Sequence, residues 1–534
     1  MYYISPQGND SSNGSKDAPW LTITEAVKKL KPGDTLNMTP GVYYENVMMT
    51  TISGTAETPI HIKGMGEAII NGNGGGTAFS IINCENIIIQ GLTVTNANYG
   101  IDIRSTPERG TASLKNIIVK NNIVHGINGP KGGHGISVYG ENPAAPITGL
   151  IIEENQVHNN KLYWSEALVV NGNIDGFIIR GNIVWNNDNI GIDIIGFEGT
   201  AGDNPEVDCA RNGKVYDNIV YGSDTTGNEA YWSANHNVQG EVWTGRGEGP
   251  FKGKYDRCCG GIYVDGGWHI EIYHNFVFDN DLGIEVATEH KPPLVTKDVH
   301  VHDNIIASST GWAGLIFGGY NSILGYTEDC RFENNILYDN ATSIAVQKSR
   351  KNIIKNNVIS GGWAALDFNG EMAANNDFME NYWENANNDE EYFTQLNELP
   401  ESQRSAQIIT TGLLGNPSEG DFTLKNFEGS GTKWRPHKKY LALYAEYVKA
   451  QKKADEAKKF LQSQSAIPGL TKENACQVLT VFLHENNHPE AEIQTVLKVA
   501  STNNLLMVKI IVKYDVNSYA QATTDKGVTI TATN

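Results

Sequence analysis

From about residue 86 to residue 383 the apolar and polar positions repeat one phrase. A β-branched triplet is followed by a polar pair ending in Asn, an apolar pair, a short gap and then Gly-Ile-x-Val. Asn116-Ile-Ile-Val-Lys-Asn-Asn122-Ile-Val and Gly176-Phe-Ile-Ile-Arg-Gly-Asn182-Ile-Val are two examples. The shared Asn falls at 122, 155, 182, 218, 275, 304, 335, 357 and 381, so the spacings are 33, 27, 36, 57, 29, 31, 22 and 24. A propeller blade needs four strands in ~40 residues, which most of these spacings cannot hold. Each repeat has room for three short strands, which is one coil of a parallel β-helix. The recurring Asn suits that coil. Its side chain tolerates the left-handed conformation at a corner and can hydrogen-bond the Asn of the next coil.

The ends extend the pattern. Residues 2–46, with Ala18-Pro-Trp-Leu-Thr-Ile23 and Gly41-Val-Tyr-Tyr-Glu45, resemble the opening cap of right-handed parallel β-helix proteins. Thr24 is placed to N-cap a helix from Glu25 to Leu30 that covers the first coil's open edge. Residues 415–424 resemble a closing coil. Beyond them, Leu441, Tyr444, Val448 and Leu461 among Ala and Lys predict an amphipathic helix over 440–461. Two further helices are expected near 471–485 and 489–501, and 504–532 reads equally as helix or strand. The fold class is therefore all-β, a right-handed parallel β-helix (a solenoid) with an N-terminal cap and a mainly α C-terminal appendage. The boundaries are 1–70 for the cap and first coils, 71–430 for the β-helix with an insertion at about 222–260, and 431–534 for the appendage.

Composition narrows the function classes. Charged residues are only 19% of the 534, so the net charge of -20 does not describe a disordered acidic chain. It does disfavour nucleic acid as a partner, which requires clustered Lys and Arg. No apolar run is long enough for a membrane span. Six Cys and no CxxC pair give neither a disulfide framework nor a zinc site. The opening Met1-Tyr2-Tyr3 lacks the features of a signal peptide. A secreted or cell-surface location is nonetheless expected, with a cytoplasmic one also open. Oligomeric state is not legible.

Strand alternation locates the candidate chemistry. In Gly-Ile-x-Val, Ile and Val point into the helix, while x and the residue after Val point outward to solvent. Down the coils x is Asp102, Ser137, Val169, Asp193, Tyr263, Glu285, Ile316, Ala345 and Asp367. The next outward column runs Arg104, Tyr139, Asn171, Ile195, Asp265, Ala287, Gly318, Gln347 and Asn369. Three adjacent coils thus present Asp193, then Tyr263 and Asp265, then Glu285. Strands ~4.8 Å apart and outward positions ~6.6 Å apart put Asp193 and Asp265, or Asp265 and Glu285, roughly 8 Å apart at the backbone. That falls in the range of the paired carboxylates of glycoside hydrolysis. Carboxylates stacked so closely repel, so at least one pKa should rise, as a general acid requires.

Single outward acids on strands are commonly surface decoration. Here they coincide with the largest insertion, which carries Tyr231, Trp232, Trp243 and Phe251, residues able to stack on sugar rings. A loop of residues 196–208 flanks the other side and adds Glu198, Asp203 and Asp208 as alternative acids. Glu289 and His290 follow Glu285 closely, His290 being a proton shuttle or an ordinary loop histidine. Cys209, Cys258 and Cys259 have no partner spacing for a thiol nucleophile. Calcium is possible through the acidic cluster, although no EF-hand-like loop is present. No cofactor is otherwise indicated, and no nucleotide motif occurs.

Four runs carry a more specific resemblance: Asp208-Cys-Ala-Arg-Asn-Gly-Lys-Val215, Gly260-Gly-Ile-Tyr-Val-Asp-Gly-Gly267, Asp281-Leu-Gly-Ile-Glu-Val-Ala-Thr-Glu-His290 and Gly314-Leu-Ile-Phe-Gly-Gly-Tyr320. Over residues 2–425 the chain resembles β-helix carbohydrate-active proteins, nearest to glycoside hydrolases of the lacto-N-biosidase type. The resemblance implies an oligo- or polysaccharide substrate and two carboxylates at work, the roles staying open between Asp193, Asp265, Glu285 and Glu198. Tyr263, Trp232, Trp243, Asp208, Arg211, Glu289, His290 and Tyr320 are the candidate sugar-binding residues. A polysaccharide lyase shares the fold and usually uses a Lys or Arg base, often with calcium. Here the nearest basic residues are Arg211, Lys214 and Arg257, and an acidic groove should repel a polyuronate. A non-catalytic glycan-binding β-helix is the third class, because the fold alone selects none of them.

Overall fold

The structure, a computed structural model, describes residues 1–225, 228–231, 257–373, 375–384, 391–425 and 432–463, with three short strands between 508 and 531. Among these residues the chain winds into three parallel sheets of seventeen, thirteen and eleven strands. One coil takes a strand from each in turn, for example Ile174–Arg180, Ile183–Trp185 and Ile192–Ile195. The inward columns are continuous and apolar. In the eleven-stranded sheet Ile103, Val138, Val170, Ile194, Val264, Val286, Phe317 and Val346 lie in register, all fully buried. Each such side chain contributes about 1.5–3 kcal/mol of apolar burial, which makes the stack of coils one core.

The nine repeated Asn residues form a buried ladder. Asn122 Nδ2 donates to Asn155 Oδ1, and the same step recurs through 182, 218, 275, 304, 335 and 357 to Asn381, at 2.9–3.0 Å throughout. Each amide also reaches a strand carbonyl of the coil before, as Asn155 does to Val119 O at 2.9 Å. Asn381 closes the ladder against Gln407 Oε1 at 3.1 Å. The left-handed corner, however, belongs to the residue before the ladder Asn. Asn121, Glu154, Gly181, Asp217, His274, Asp303, Asn334, Asn356 and Glu380 all have φ between 51° and 65°. The reason is geometric: the corner residue turns its side chain outward, so the next side chain points into the coil.

The N-terminal cap holds a second correction. The helix is Ile23–Val27, and its N-cap is Thr22, whose Oγ1 accepts Glu25 N–H, rather than Thr24. Glu45 explains the shift. Its carboxylate accepts the N–H groups of Ile23 and Thr24 at 2.8 and 2.9 Å and the Thr24 hydroxyl at 2.7 Å, so the first turn is satisfied from outside.

Two compact units emerge. One comprises residues 1–230, 258–413 and 424–435 and contains the β-helix; the other comprises 231–257, 414–423 and 436–534. The second unit contains the helix Lys438–Ser463, with Tyr444 buried. It also has three antiparallel strands, Val508–Ile510, Gln521–Thr524 and Thr529–Thr531, in the segment that read as either helix or strand. The helices expected at 471–485 and 489–501 lie outside the described residues.

Adjacent residues at one corner should respond oppositely to substitution. Asn155→Ala strands several buried groups and is expected to cost roughly 2–4 kcal/mol. Glu154→Gly relieves a left-handed side chain and should be neutral or stabilising by up to ~1 kcal/mol. Denaturant titration of the two variants measures both; equal losses would disprove this division of labour.

Candidate active site

The eleven-stranded sheet sets out the candidate residues in strand register. Asp102, Ser137, Val169, Asp193, Tyr263, Glu285, Ile316, Ala345 and Asp367 are successive cross-strand partners. Arg104, Tyr139, Asn171 and Ile195 form the parallel column at one end, and Asp265 pairs with Ala287 further along. Asp193, Tyr263, Asp265 and Glu285 therefore lie on one outward face. They are not solvent-facing, as strand alternation alone implied. Their exposures are 2%, 5%, 6% and 9%. The loops at the strand ends bring further side chains over the face, so outward here means toward a second, polar cluster.

Three of those loops supply acids. After the Asp193 strand, residues 196–208 are pinned by Asp208, whose two oxygens accept Gly199 N–H at 2.6 Å and Ala201 N–H at 2.7 Å. That anchoring fixes Glu198, which accepts Asn171 Nδ2 at 2.8 Å. After the Glu285 strand, the Glu289 N–H donates to Asp265 Oδ1 at 3.1 Å, and His290 sets its ring edge-on to Phe197. Before the Leu168–Gly172 strand stands Glu166, buried and 3.2 Å from His134 Nδ1. His134 Nε2 in turn lies 2.9 Å from the Tyr139 hydroxyl. Glu166 and His134 were not foreseen from the sequence because they sit in irregular segments. Tyr139 was visible in the outward column, without a partner to make it significant.

Proximity and burial together raise the acids' proton affinity. Burial pushes the Asp193 carboxyl well above the usual range, and Glu166, Asp265 and Glu198 add repulsion. Burial does the same to Asp265, aided by Glu289, while the Glu289 N–H opposes it. Burial and Glu289 push Glu285 up to about 8. Glu198 and Glu289 are raised as well, mainly by burial. The expectation of at least one raised acid thus extends to five. Asp193 Oδ1 is buried with no hydrogen-bond partner among the described residues. The arrangement sets acids of raised proton affinity side by side, of which Glu285, at about 8, can donate a proton at neutral pH.

Other candidates fall elsewhere. Arg211 is on a strand of the seventeen-stranded sheet and donates to Cys209 O and Asn173 Oδ1, each at 3.0 Å. Asp208 is engaged in holding its loop. Tyr320 is 53% exposed in the turn after Ala313–Phe317. Trp232, Trp243 and Phe251 lie outside the described residues. Burial pushes the Cys209 thiol up to about 12, which suits a structural side chain. Among the described residues, no group of three or more His, Cys, Asp or Glu side chains is arranged to hold a metal ion.

A right-handed β-helix with an acid-lined outer face is the class that this geometry defines. Residues 2–229 match the model of the Pel9A-like right-handed β-helix region. The chain is 34% identical over 401 residues to the uncharacterized protein YwoF of Bacillus subtilis (strain 168), covering 71% of this chain and 77% of that one. It belongs to that protein's family. Among solved structures, the GH136 lacto-N-biosidase of Eubacterium ramulus superposes with a TM-score of 0.41 at 13% identity. That match covers 70% of this chain and 66% of the enzyme, just under two thirds of its length. Pectate lyase Pel9A superposes with a TM-score of 0.32 at 13% identity, covering 72% and 75%.

The raised Glu285 predicts a pH-dependent stability. Its folded pKa lies above the unfolded value of 4.5, so the fold favours the protonated form. Stability from this group is full below pH 4.5 and falls as pH rises toward about 8. The loss at pH 7 is at most on the order of 3 kcal/mol. Glu285→Gln should therefore melt higher than the parent at pH 8 and equal to it at pH 4.5. Parallel melting curves across that range would refute the shift.

Proposed function

We propose that the protein is a carbohydrate-active enzyme, a glycoside hydrolase that cleaves an oligo- or polysaccharide with paired carboxyl groups on this face. The observation that carries the reading is the placement of proton-retaining acids on adjacent coils, with Asp265 and Glu285 diagonally related. Their backbones stand roughly 8 Å apart, compatible with the ~6.5–9.5 Å carboxyl separation of inverting enzymes. Glu285 is the general acid, because its pKa of about 8 keeps it protonated at neutral pH. Asp265 is the base, its Oδ1 accepting the Glu289 N–H, which favours the charged form against the burial that opposes it. Burial and Glu289 keep the acid protonated, and Tyr263 lies between Asp193 and Glu285 to orient the sugar. Hydrolysis of this kind needs no metal. Export to the cell surface or medium belongs to the proposal, since polymeric glycans are met there.

The test is a screen of neutral oligosaccharides, glycans and uronate polymers, with and without EDTA. It reads new reducing ends and the absorbance of unsaturated uronate near 235 nm. Reducing ends without absorbance, unchanged by EDTA, are the expected result. Asp265→Asn should then lower kcat by at least about 10²-fold with the fold intact by circular dichroism. Full activity in that variant removes Asp265 from the mechanism, and cleavage that EDTA abolishes refutes the metal-free reading.

A further inference from the structure

Among the described residues, Asp193 is the acid of the outer face with a buried oxygen left over. It is 2% exposed, the Ile194 N–H favours its charged form, and its Oδ1 has no partner. The acids around it are better supplied. Asp265 Oδ1 accepts the Glu289 N–H at 3.1 Å, Glu198 accepts Asn171 Nδ2 at 2.8 Å, and Glu166 stands 3.2 Å from His134 Nδ1. A buried acceptor without a donor is costly, so Oδ1 calls for a donor from a ligand.

The charge of that donor follows from the surroundings. Glu166, Asp265 and Glu198 are the leading charged influences on Asp193, and Glu289, Glu198 and Glu285 are those on Asp265. All of them are carboxyl groups. The cross-strand neighbours of Asp193 are Val169 and Tyr263, neither of them a cation. The imidazoles serve other acids: His134 pairs with Glu166, and His290 favours the charged forms of Glu198 and Glu289. Arg104, further along the face, is held by Asp102 at 2.7 Å and Glu141 at 2.5 Å. A sugar hydroxyl would fill the hydrogen bond and leave the repulsion in place. A carboxylate would add to the repulsion. A protonated amine meets both needs, with three donors and the missing positive charge. Asp193 stands one strand from Asp265 and two from Glu285. At ~4.8 Å per strand it therefore reaches the sugar on the Asp265 side of the cleaved bond.

We propose that Asp193 and the carboxyl groups around it bind the protonated amine of an aminosugar, so that the substrate is a glycan carrying free, non-acetylated amino groups. The inference rests on this face being the carbohydrate site proposed above and names what that site takes; it does not depend on hydrolysis. The sugar served by Asp265 presents the amine, and Asp193 Oδ1 accepts a hydrogen bond from it. Binding is thereby coupled to protons. Burial and mutual repulsion raise the proton affinity of Asp193, Asp265, Glu198 and Glu289 in the free protein. An ammonium beside them favours their ionised forms, so an acid that held a proton gives it to solvent as the amine enters. Glu285 is two strands from Asp193, and burial and Glu289 dominate its titration. It therefore keeps the proton that a leaving oxygen needs. N-acetylation of the sugar removes the charge on which recognition depends, and a uronate carries the wrong sign.

The experiment compares glucosamine and galactosamine oligomers with the fully N-acetylated oligomer of the same length and linkage. Calorimetric titration at about pH 6, where the amine is protonated, counts protons when run in two buffers of different ionisation enthalpy. Glu285→Gln serves for this measurement, so that the oligomer is not cleaved. The amine form is expected to release roughly one proton per molecule bound, and the acetylated form none. In the parent, kcat/KM should favour the amine form at least about 10-fold. Asp193→Asn should bring that ratio near one, and Asp193→Glu, which keeps the charge, should retain part of it. Circular dichroism checks that both variants are folded. Equal kcat/KM for the two forms, a preference that survives Asp193→Asn, or neither proton release nor cleavage with any amine oligomer overturns the proposal. Cleavage of acetylated or neutral glycans alone also overturns it and leaves the hydrolase reading standing. Proton release without new reducing ends in the parent supports the amine site and ends the hydrolase reading.

Discussion

A coil of this helix cannot turn its corner without burying backbone N–H and C=O groups that no strand partner can reach. The Asn ladder meets that need. One side chain per coil donates to a carbonyl of the coil before and to the Asn Oδ1 of the next, and its own Oδ1 accepts from the Asn of the coil before, so each corner is satisfied only when its neighbours are present. Hydrogen bonds of this kind contribute modestly when made and cost about 1–3 kcal/mol when a buried partner is left over. The ladder therefore specifies register more than it adds stability. A coil that slipped by one residue would turn its apolar column outward and leave its Asn unpaired.

The registered stack makes the outer face possible. Asp193, Tyr263 and Glu285 meet as cross-strand partners because the inward Ile and Val residues on either side of them are locked in place. Burying five carboxyl groups with raised proton affinity opposes folding at neutral pH. The continuous core can carry that cost, since each added coil brings several fully buried aliphatic side chains. Strain of this sort is tolerated where a rigid scaffold over-determines the local structure. Asp193, Asp265 and Glu285 stand on strands and Glu198 on a loop cross-braced by Asp208, which limits how far they can relax apart.

What the sequence discloses follows from periodicity. The Gly-Ile-x-Val phrase places Asp193, Tyr263, Asp265 and Glu285 on one face because a strand alternates with period two, and the structure keeps that register residue for residue. Periodicity says which way a side chain points and nothing about what lies over it, so burial of the outward face was not legible. The same limit hid Glu166 and His134. Both lie between strands, where position depends on loop conformation, and they matter only through contacts across 32 residues of sequence. The corner residue before each ladder Asn was misjudged for another reason. Asn tolerates the left-handed region better than Glu or His, yet Glu154 and His274 occupy it while the neighbouring Asn is needed inside.

Net charge is a poor guide to this cleft for the same physical reason. The -20 of the whole chain belongs mainly to solvated groups, whose influence fades within a Debye length of ~8 Å at physiological ionic strength. In the buried cluster, desolvation penalises every ionised form, so the acids hold their protons more tightly than solvated ones. A surface that looks anionic in the sequence thus gathers, on this face, acids of raised proton affinity beside Tyr263. A protonated member such as Glu285 can donate a hydrogen bond to a sugar's oxygen and can also give its proton up. Both properties come from stacking the carboxyl groups one coil apart and excluding water, and neither could arise on an isolated strand.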